Sequence, residues 1–274
     1  MENKLLRKLP SLLVCVLLIG TLTGCWYTNT RGKEAQVDEM AAAYIAEQYP
    51  GNDFEVSPAA YSFMDSCYYV HIQSRSSPDT NFKLRFDSFS LELTYDSYET
   101  SVSGGWNTRA RLLEEYDALI QETLGSMEEL VSCSADFCQY SENESDLTLY
   151  FSPNGLDGST LIPDKDYDVG ALGWEYGYLE VTFLETKENL HMERILELLR
   201  EIDKRLTEAN VGYYTLYIKV ATGTFPDSYD SFYVFGITKD VLSSPDPLAR
   251  LQTLWDAQEA NRQAIRDRRE NNDS

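Results

Sequence analysis

The fold class is decided by residues 195–222, which read ILELLREIDKRLTEANVGYYTLYIKVAT. Apolar residues recur at helical spacing through the first half, and this period predicts an amphipathic helix over 195–209 that ends near Asn210 and Gly212. The second half, 213–222, is rich in aromatic and β-branched residues and therefore predicts a strand. A helix with one apolar face, followed directly by an extended segment, indicates helices packed on a sheet.

Helices and strands are grouped along the rest of the chain. The helical periods are at 37–45, at 112–123 and after Pro247, and the strand patterns are at 54–64, 67–73, 82–86, 91–95, 130–140, 147–151, 178–184 and 231–238. The segment 152–177 has no period and is predicted to be a long loop. A doubly wound α/β sheet would alternate strand and helix singly. The grouping instead predicts an α+β fold of antiparallel sheets with amphipathic helices on one face, in which 213–222 and 231–238 can pair as a hairpin.

These groups predict two α+β units, 37–125 and 126–268, between a tether at 25–36 and a polar tail at 269–274. The order helix, strands, helix occurs in both units. An internal duplication would explain that order, and so would the generic composition of aromatic strands.

The first 24 residues have the organisation of a secretory signal. Lys4, Arg7 and Lys8 form a positive region, and an apolar segment of about a dozen residues follows at 11–23. A membrane-spanning helix needs roughly 20 apolar residues, so this segment is predicted to be a targeting signal and not a transmembrane anchor.

The run Leu22-Thr23-Gly24-Cys25 closes that segment and resembles the lipobox of bacterial lipoproteins. The resemblance implies that the Cys25 thiol is acylated, that residues 1–24 are removed, and that the protein faces outside the cytoplasm on the cell membrane. An ordinary secretory signal with an incidental cysteine is the alternative. Residues 35–124 are broadly similar to uncharacterised lipoproteins of Gram-positive bacteria, which implies no function.

The chain is strongly acidic, with a formal net charge of −22. Removing residues 1–24 takes away three basic side chains and one acid and leaves −24. Such a charge repels nucleic acid and anionic headgroups, so no nucleic-acid partner is expected and the membrane is reached through the lipid. Cations, a basic peptide or another protein are the predicted partners, and simple solubility is the alternative reading of the charge.

Three cysteines remain after Cys15 leaves with the signal and Cys25 is acylated: Cys67, Cys133 and Cys138. On one straight strand, five residues separate Cys133 from Cys138 by about 16 Å, too far for a disulfide. A turn between them would allow a bond, so one bridge with a free thiol and three unpaired cysteines both stay open.

Two common catalytic motifs are absent from the sequence. Neither H-E-x-x-H nor G-x-S-x-G occurs, and His71 and His191 are the only histidines. His71 lies in a strand pattern and His191 at the start of a helix, so both are expected to be solvent-facing structural residues. An enzyme is therefore the less favoured class.

The candidate sites are in acidic segments. Asp164, Asp166, Asp168 and Glu175 have the spacing of a calcium loop of the EF-hand type, except that Val169 stands where that loop needs glycine. They predict either a weak calcium site or a solvated acidic loop. Carboxylates beside aromatic rings at 174–178 and 227–230 are typical of sugar sites, and ordinary core and edge packing of strand tyrosines is the favoured alternative.

The sequence therefore predicts a lipid-anchored protein with a binding or accessory role at the cell surface and no catalysis of its own. The alternatives are a carbohydrate-active hydrolase with paired carboxylates, and the solute-binding subunit of a transporter.

Overall fold

The computed structural model describes residues 33–137, 155–186, 190–222 and 230–272. They form two compact units. The first falls within Met1–Thr108 and includes Ile162–Asp164, and the second falls within Arg109–Leu161 and Lys165–Ser274. Both units combine helices with a sheet, which confirms the predicted α+β class.

The first unit is a helix and a five-stranded antiparallel sheet. Helix α1 covers residues 33–48. The strands are β1 Phe54–Val56, β2 Ala60–Ser62, β3 Cys67–Ser74, β4 Asn81–Asp87 and β5 Leu93–Asp96. Their order is β1-β3-β4-β5, and β2 also pairs with β3, beside β1. A single π-helical turn, Glu99–Ser103, follows β5.

One face of this sheet forms the first core. Val70 and Ile72 of β3 and Leu84 of β4 are buried, while the residues between them face solvent. Helix α1 contributes Val37 and Ala41 to the same core. This alternation is the pattern of an antiparallel sheet covered on one side, so the opposite face stays open to solvent.

The second unit contains a four-stranded sheet of order β6-β7-β8-β9. Its elements are α2 Trp106–Leu124, which begins just before the unit, β6 Leu130–Phe137, α3 Val169–Tyr176, β7 Gly177–Glu185, α4 Met192–Glu208, β8 Thr215–Thr222, β9 Asp230–Ile237, α5 Lys239–Leu242 and α6 Pro247–Asn272, with a 3-10 turn at Gly158–Thr160. The predicted hairpin of the last two strands is confirmed, since β8 and β9 pair antiparallel.

One strand pair departs from the antiparallel prediction. Strands β7 and β8 run parallel, and α4 is the crossover between them. A parallel pair needs such a long connection because the chain must return to the end at which β7 began. The first sheet has no parallel pair among its described strands, so the two topologies give no support to an internal duplication.

The second core is built on α4, whose predicted amphipathic face is confirmed. Six of its side chains are buried: Ile195, Leu196, Leu198, Leu199, Ile202 and Leu206. They meet the inner face of β7, where Leu179, Val181 and Phe183 are inaccessible to solvent. Burying this much apolar surface is the main favourable term that holds the unit together.

The boundary between the units lies at Thr108 and not at the predicted residue 125. The reason is the apolar face of α2, whose Leu112, Tyr116 and Ile120 are buried in the second core. A helical period shows that a helix has a buried face, and it does not show which sheet that face meets.

The predicted tether and the predicted tail are both shorter in the structure. Residues 33–36, assigned to the tether, are the first turn of α1, and residues 269–272, assigned to the tail, continue α6. Lys, Glu, Ala, Gln and Arg at these positions favour helix. The predicted strand at 147–151 lies outside the described residues.

Helix α3 lies inside the segment predicted to be a loop. It has only eight residues, of which Gly170 and Gly173 are buried glycines, so it shows no apolar period. The glycines are required by close packing: a Cβ on Gly173 would lie 2.1 Å from the carbonyl oxygen of Gly212. The Gly212 amide donates to the carbonyl of Gly170 over 2.9 Å, which holds α3 against this turn.

Within the described ranges, no helix combines the length and the apolar character needed to cross a membrane.

Candidate binding face of the first unit

The open face of the first sheet carries a cluster of basic side chains. Alternation along β3 and β4 turns His71, Lys83 and Arg85 outward, because Ile72, Leu84 and their neighbours point into the core. The strand register pairs His71 with Lys83 across the two strands. Directly paired residues lie about 5 Å apart at their Cβ atoms, so two cationic or protonatable groups stand side by side.

The two cations of this cluster have no carboxylate within ion-pair distance in the part of the chain that the structure describes. Lys83 is exposed. Arg85 donates from Nε to the hydroxyl of Thr94 over 3.1 Å, and its guanidinium lies 5.8 Å from the centre of the Tyr95 ring. Tyr95 is itself 45% exposed. In a chain of net charge −22, a face with unneutralised positive charge is a local reversal of sign.

A depression of about 530 Å³ lies on the same face, where β1 ends beside β3. Its wall includes His71, Gln73 and the ion pair of Glu55 with Arg75, whose Oε1 and Nε are 2.7 Å apart. Ser57 fixes the strand here, because its hydroxyl accepts from the amide of His71 over 2.9 Å. Among the described residues that line the depression, Glu55 is the single carboxylate.

His71 is neutral at pH 7. Partial burial lowers the pKa of its imidazole, and the positive charge of Lys83 lowers it further. The face therefore gains one more positive charge in acid, at a pH below that at which a free histidine takes up a proton. The expectation that His71 faces solvent from a strand is confirmed.

The arrangement can bind an anionic group by charge and hydrogen bonds. Lys83 supplies an exposed ammonium, Arg85 a planar guanidinium, and Tyr95 an exposed ring on which a flat group can stack. The described lining of this depression holds one carboxylate, Glu55, whereas a hydrolase mechanism with paired acids needs two.

The predicted calcium residues are not gathered into one group. The carboxylate of Asp164 accepts from the amide of Asp79, whose own carboxylate accepts from the amide of Asp164 over 2.8 Å. Asp168 caps α3 by accepting from the Ala171 amide over 2.9 Å, and Glu175 lies within α3. In the described ranges no three His, Cys, Asp or Glu side chains are placed to hold a metal ion. Calcium binding stays a prediction.

The structure describes some of the remaining predicted residues, and others lie outside the described ranges. Cys25 and Cys138 lie outside the described residues, and Cys67 and Cys133 are buried free thiols. His191 starts α4 as expected, and its Nδ1 accepts from the amide of Arg194. Of the aromatic and acidic segments, 174–178 spans the end of α3 and the start of β7, while 227–229 is outside the described residues.

Sequence reasoning missed the basic cluster. The signal was present in Asn81-Phe82-Lys83-Leu84-Arg85, where two cations alternate with core residues on one strand. Their meeting with His71 depends on the register of β3 with β4, which the sequence does not state.

No protein-family model matches this chain, and no curated protein sequence matches it. Among solved structures, a DUF5037 family protein from Ruminococcus gnavus is similar to it, with a TM-score of 0.23 and 14% identity over 81% of this chain and 98% of that one. A likeness at this TM-score carries no argument about function.

Proposed function

We propose that this protein is a lipid-anchored binding component of the cell surface, and that its first unit binds an anionic ligand on the open face of its sheet. The carrying observation is the basic cluster formed by the exposed Lys83 and the half-buried Arg85 beside His71, on the open face of a sheet in an acidic chain. The two cations have no carboxylate partners in the described residues. The lipid anchor rests on the lipobox at 22–25. The role is binding or accessory, without catalysis.

The ligand fits the class of polymers that carry carboxylates or phosphates. Such groups pair with a guanidinium and an ammonium, and the exposed ring of Tyr95 offers a stacking surface for a sugar or other flat unit. The net charge of the molecule repels such a ligand at long range, so binding is expected to be weak and to depend on contact with this one face. A basic peptide, as predicted from the overall charge, would bind elsewhere.

The binding test uses residues 26–274 with poly-L-glutamate and with inorganic polyphosphate, and neutral dextran as the uncharged comparison. Exposed ion pairs contribute up to about 1 kcal/mol each, so Lys83→Ala with Arg85→Ala should weaken binding by roughly tenfold to thirtyfold. A matched control removes two exposed cations of the second unit, Lys204→Ala with Arg250→Ala. Equal affinity losses in the two double variants would show a non-specific charge effect and reject the face.

Protonation of His71 supplies a second test. The pKa of this residue lies below its usual range, so binding of polyphosphate should strengthen as the pH falls through that lowered pKa. The variant His71→Gln should bind with a flatter pH profile, measured by calorimetry. A pH profile of His71→Gln equal to that of the wild type would show that His71 takes no part in binding.

The anchor has its own test. In cells fed a labelled fatty acid, the wild-type chain should carry the label, and Cys25→Ala should lose it and accumulate as the unprocessed precursor. Label retained on Cys25→Ala would disprove the assignment of the lipid site.

A further inference from the structure

Three large apolar side chains stand exposed at one end of the first sheet. Phe63 is 70% exposed, Met64 is 96% exposed and Phe89 is 86% exposed. Phe63 and Met64 lie in the turn between β2 and β3, and Phe89 lies in the turn between β4 and β5. Single exposed apolar residues are ordinary, but a group of three at one edge of a sheet is typical of an interaction site.

The strand register places both turns at the same end of the sheet. Ser62 pairs with Cys67, and Cys67 pairs with Asp87 on the other side of β3. Strands two places apart are separated by about 10 Å, so the two turns project side by side. We name Phe63, Met64 and Phe89 together the apolar tip.

The beginning of α1 lies at the same end. Lys33, at the first described position of the helix, donates from Nζ to the carbonyl of Ser88 over 2.9 Å, and its ammonium is 5.9 Å from the centre of the Phe89 ring. Lys33 is eight positions after Cys25, and eight Cα–Cα steps span at most about 29 Å. The lipid at Cys25 therefore keeps the start of α1 within that distance of its point of attachment, and Phe89 lies beside the Lys33 side chain there.

We propose that the apolar tip inserts into the interfacial layer of the membrane that holds the lipid of Cys25, so that the first unit stands on this end of its sheet. The inference rests on the proposed acylation of Cys25. Aromatic rings and methionine at loop apices suit the boundary between headgroups and acyl chains.

The charged groups around the apolar tip limit how deeply it can insert into the membrane. Asp65 follows Met64 and accepts from the hydroxyl of Tyr69, and Asp87 accepts from the amides of Phe89 and Ser90. Those backbone amides hold the pKa of the Asp87 carboxyl below its usual range, so it stays ionised. Two carboxylates against the one ammonium of Lys33 leave the base of the tip net negative, which favours shallow insertion into zwitterionic lipid over anionic lipid.

The orientation agrees with the position of the binding face. The depression beside His71 and Gln73 lies toward the opposite end of β3 from the apolar tip. A unit that stands on its tip would hold this depression away from the lipid and open to the extracytoplasmic space.

The experiment uses the acylated protein reconstituted into phosphatidylcholine vesicles. An environment-sensitive maleimide fluorophore is attached to Met64→Cys, and in a control to Pro78→Cys, an exposed position in the turn at the other end of β3. The parent chain without an added cysteine gives the background. Brominated phosphatidylcholine should quench the fluorophore at position 64 and shift its emission to the blue, and should leave the fluorophore at position 78 unchanged.

Further measurements test the role of the Phe63 and Phe89 rings and identify other binding partners of the apolar tip. Phe63→Ser with Phe89→Ser in the Met64→Cys chain should abolish the quenching, and vesicles rich in phosphatidylglycerol should reduce it. Quenching that survives both serines, equal quenching at positions 64 and 78, or none at position 64 overturns the insertion. A concentration-dependent blue shift without vesicles assigns the tip to a second copy of the chain and likewise overturns it.

Failure of the anchor gives a different result. If the chain takes up no labelled fatty acid, acylation is rejected, and the same fluorophore is then measured on the unacylated chain at high vesicle concentration. Quenching at position 64 under those conditions supports insertion without the anchor, and its absence rejects both.

Discussion

The packing of α3 on the turn at Gly212 predicts the effect of adding one methyl group at Gly173. In a helix, Gly→Ala normally stabilises by about 1 kcal/mol, because glycine loses more conformational freedom on folding. Here the new Cβ would lie 2.1 Å from the Gly212 oxygen, whereas ordinary contact begins at 3.4 Å. The helix or the turn must therefore move by about an ångström.

Two buried hydrogen bonds oppose that movement. The Gly212 amide donates to the carbonyl of Gly170 over 2.9 Å, and the hydroxyl of Tyr116 donates to the carbonyl of Gly212 over 2.7 Å. Losing such a bond inside a core costs about 1–3 kcal/mol. Loss of both bonds would cost about 2–6 kcal/mol, so after the helix-propensity gain of about 1 kcal/mol is subtracted, Gly173→Ala should lower the free energy of unfolding by about 1–5 kcal/mol.

The measurement is urea unfolding of residues 26–274, followed by circular dichroism and by tryptophan fluorescence, which includes Trp174 beside the substituted position. A matched control is Ala171→Gly at an exposed position of the same helix, which should cost about 1 kcal/mol through propensity alone. The expected order of stability is wild type, then Ala171→Gly, then Gly173→Ala. An unfolding midpoint for Gly173→Ala equal to or above that of wild type would refute the close approach of α3 to Gly212.

Two further predictions concern ion pairs and calcium. Arg194 donates to Glu185 over 2.7 Å, and the Glu185 side chain is only 6% exposed, so Arg194→Met should lower the free energy of unfolding in urea by about 1–3 kcal/mol. The control Arg200→Met, at an exposed position of the same helix, should lower it little, and equal losses in the two variants would contradict the reasoning. If the acidic segment binds calcium, millimolar calcium should raise the thermal midpoint more than magnesium at equal ionic strength, and Asp166→Asn with Asp168→Asn should remove that rise. No saturable heat in calorimetry would leave a solvated acidic segment.

Local patterns in the sequence were sufficient for several elements. The apolar period of 195–209 predicted α4, and the alternation in 67–73 and 82–86 predicted β3 and β4, because each element buries its own face at its own period. The α+β class followed from the grouping of these elements. The candidate anchor at Cys25 is likewise a property of the sequence alone.

Tertiary structure decided what depends on residues far apart in the chain. The parallel pairing of β7 with β8, the placement of the α2 face in the second core, and the approach of α3 to Gly212 each join distant segments. The same holds for the basic cluster, where register sets Lys83 opposite His71, and for the apolar tip, where it sets two turns side by side. Sequence periodicity fixes which face of an element is buried, whereas the partner of that face is chosen by the packing of the whole unit.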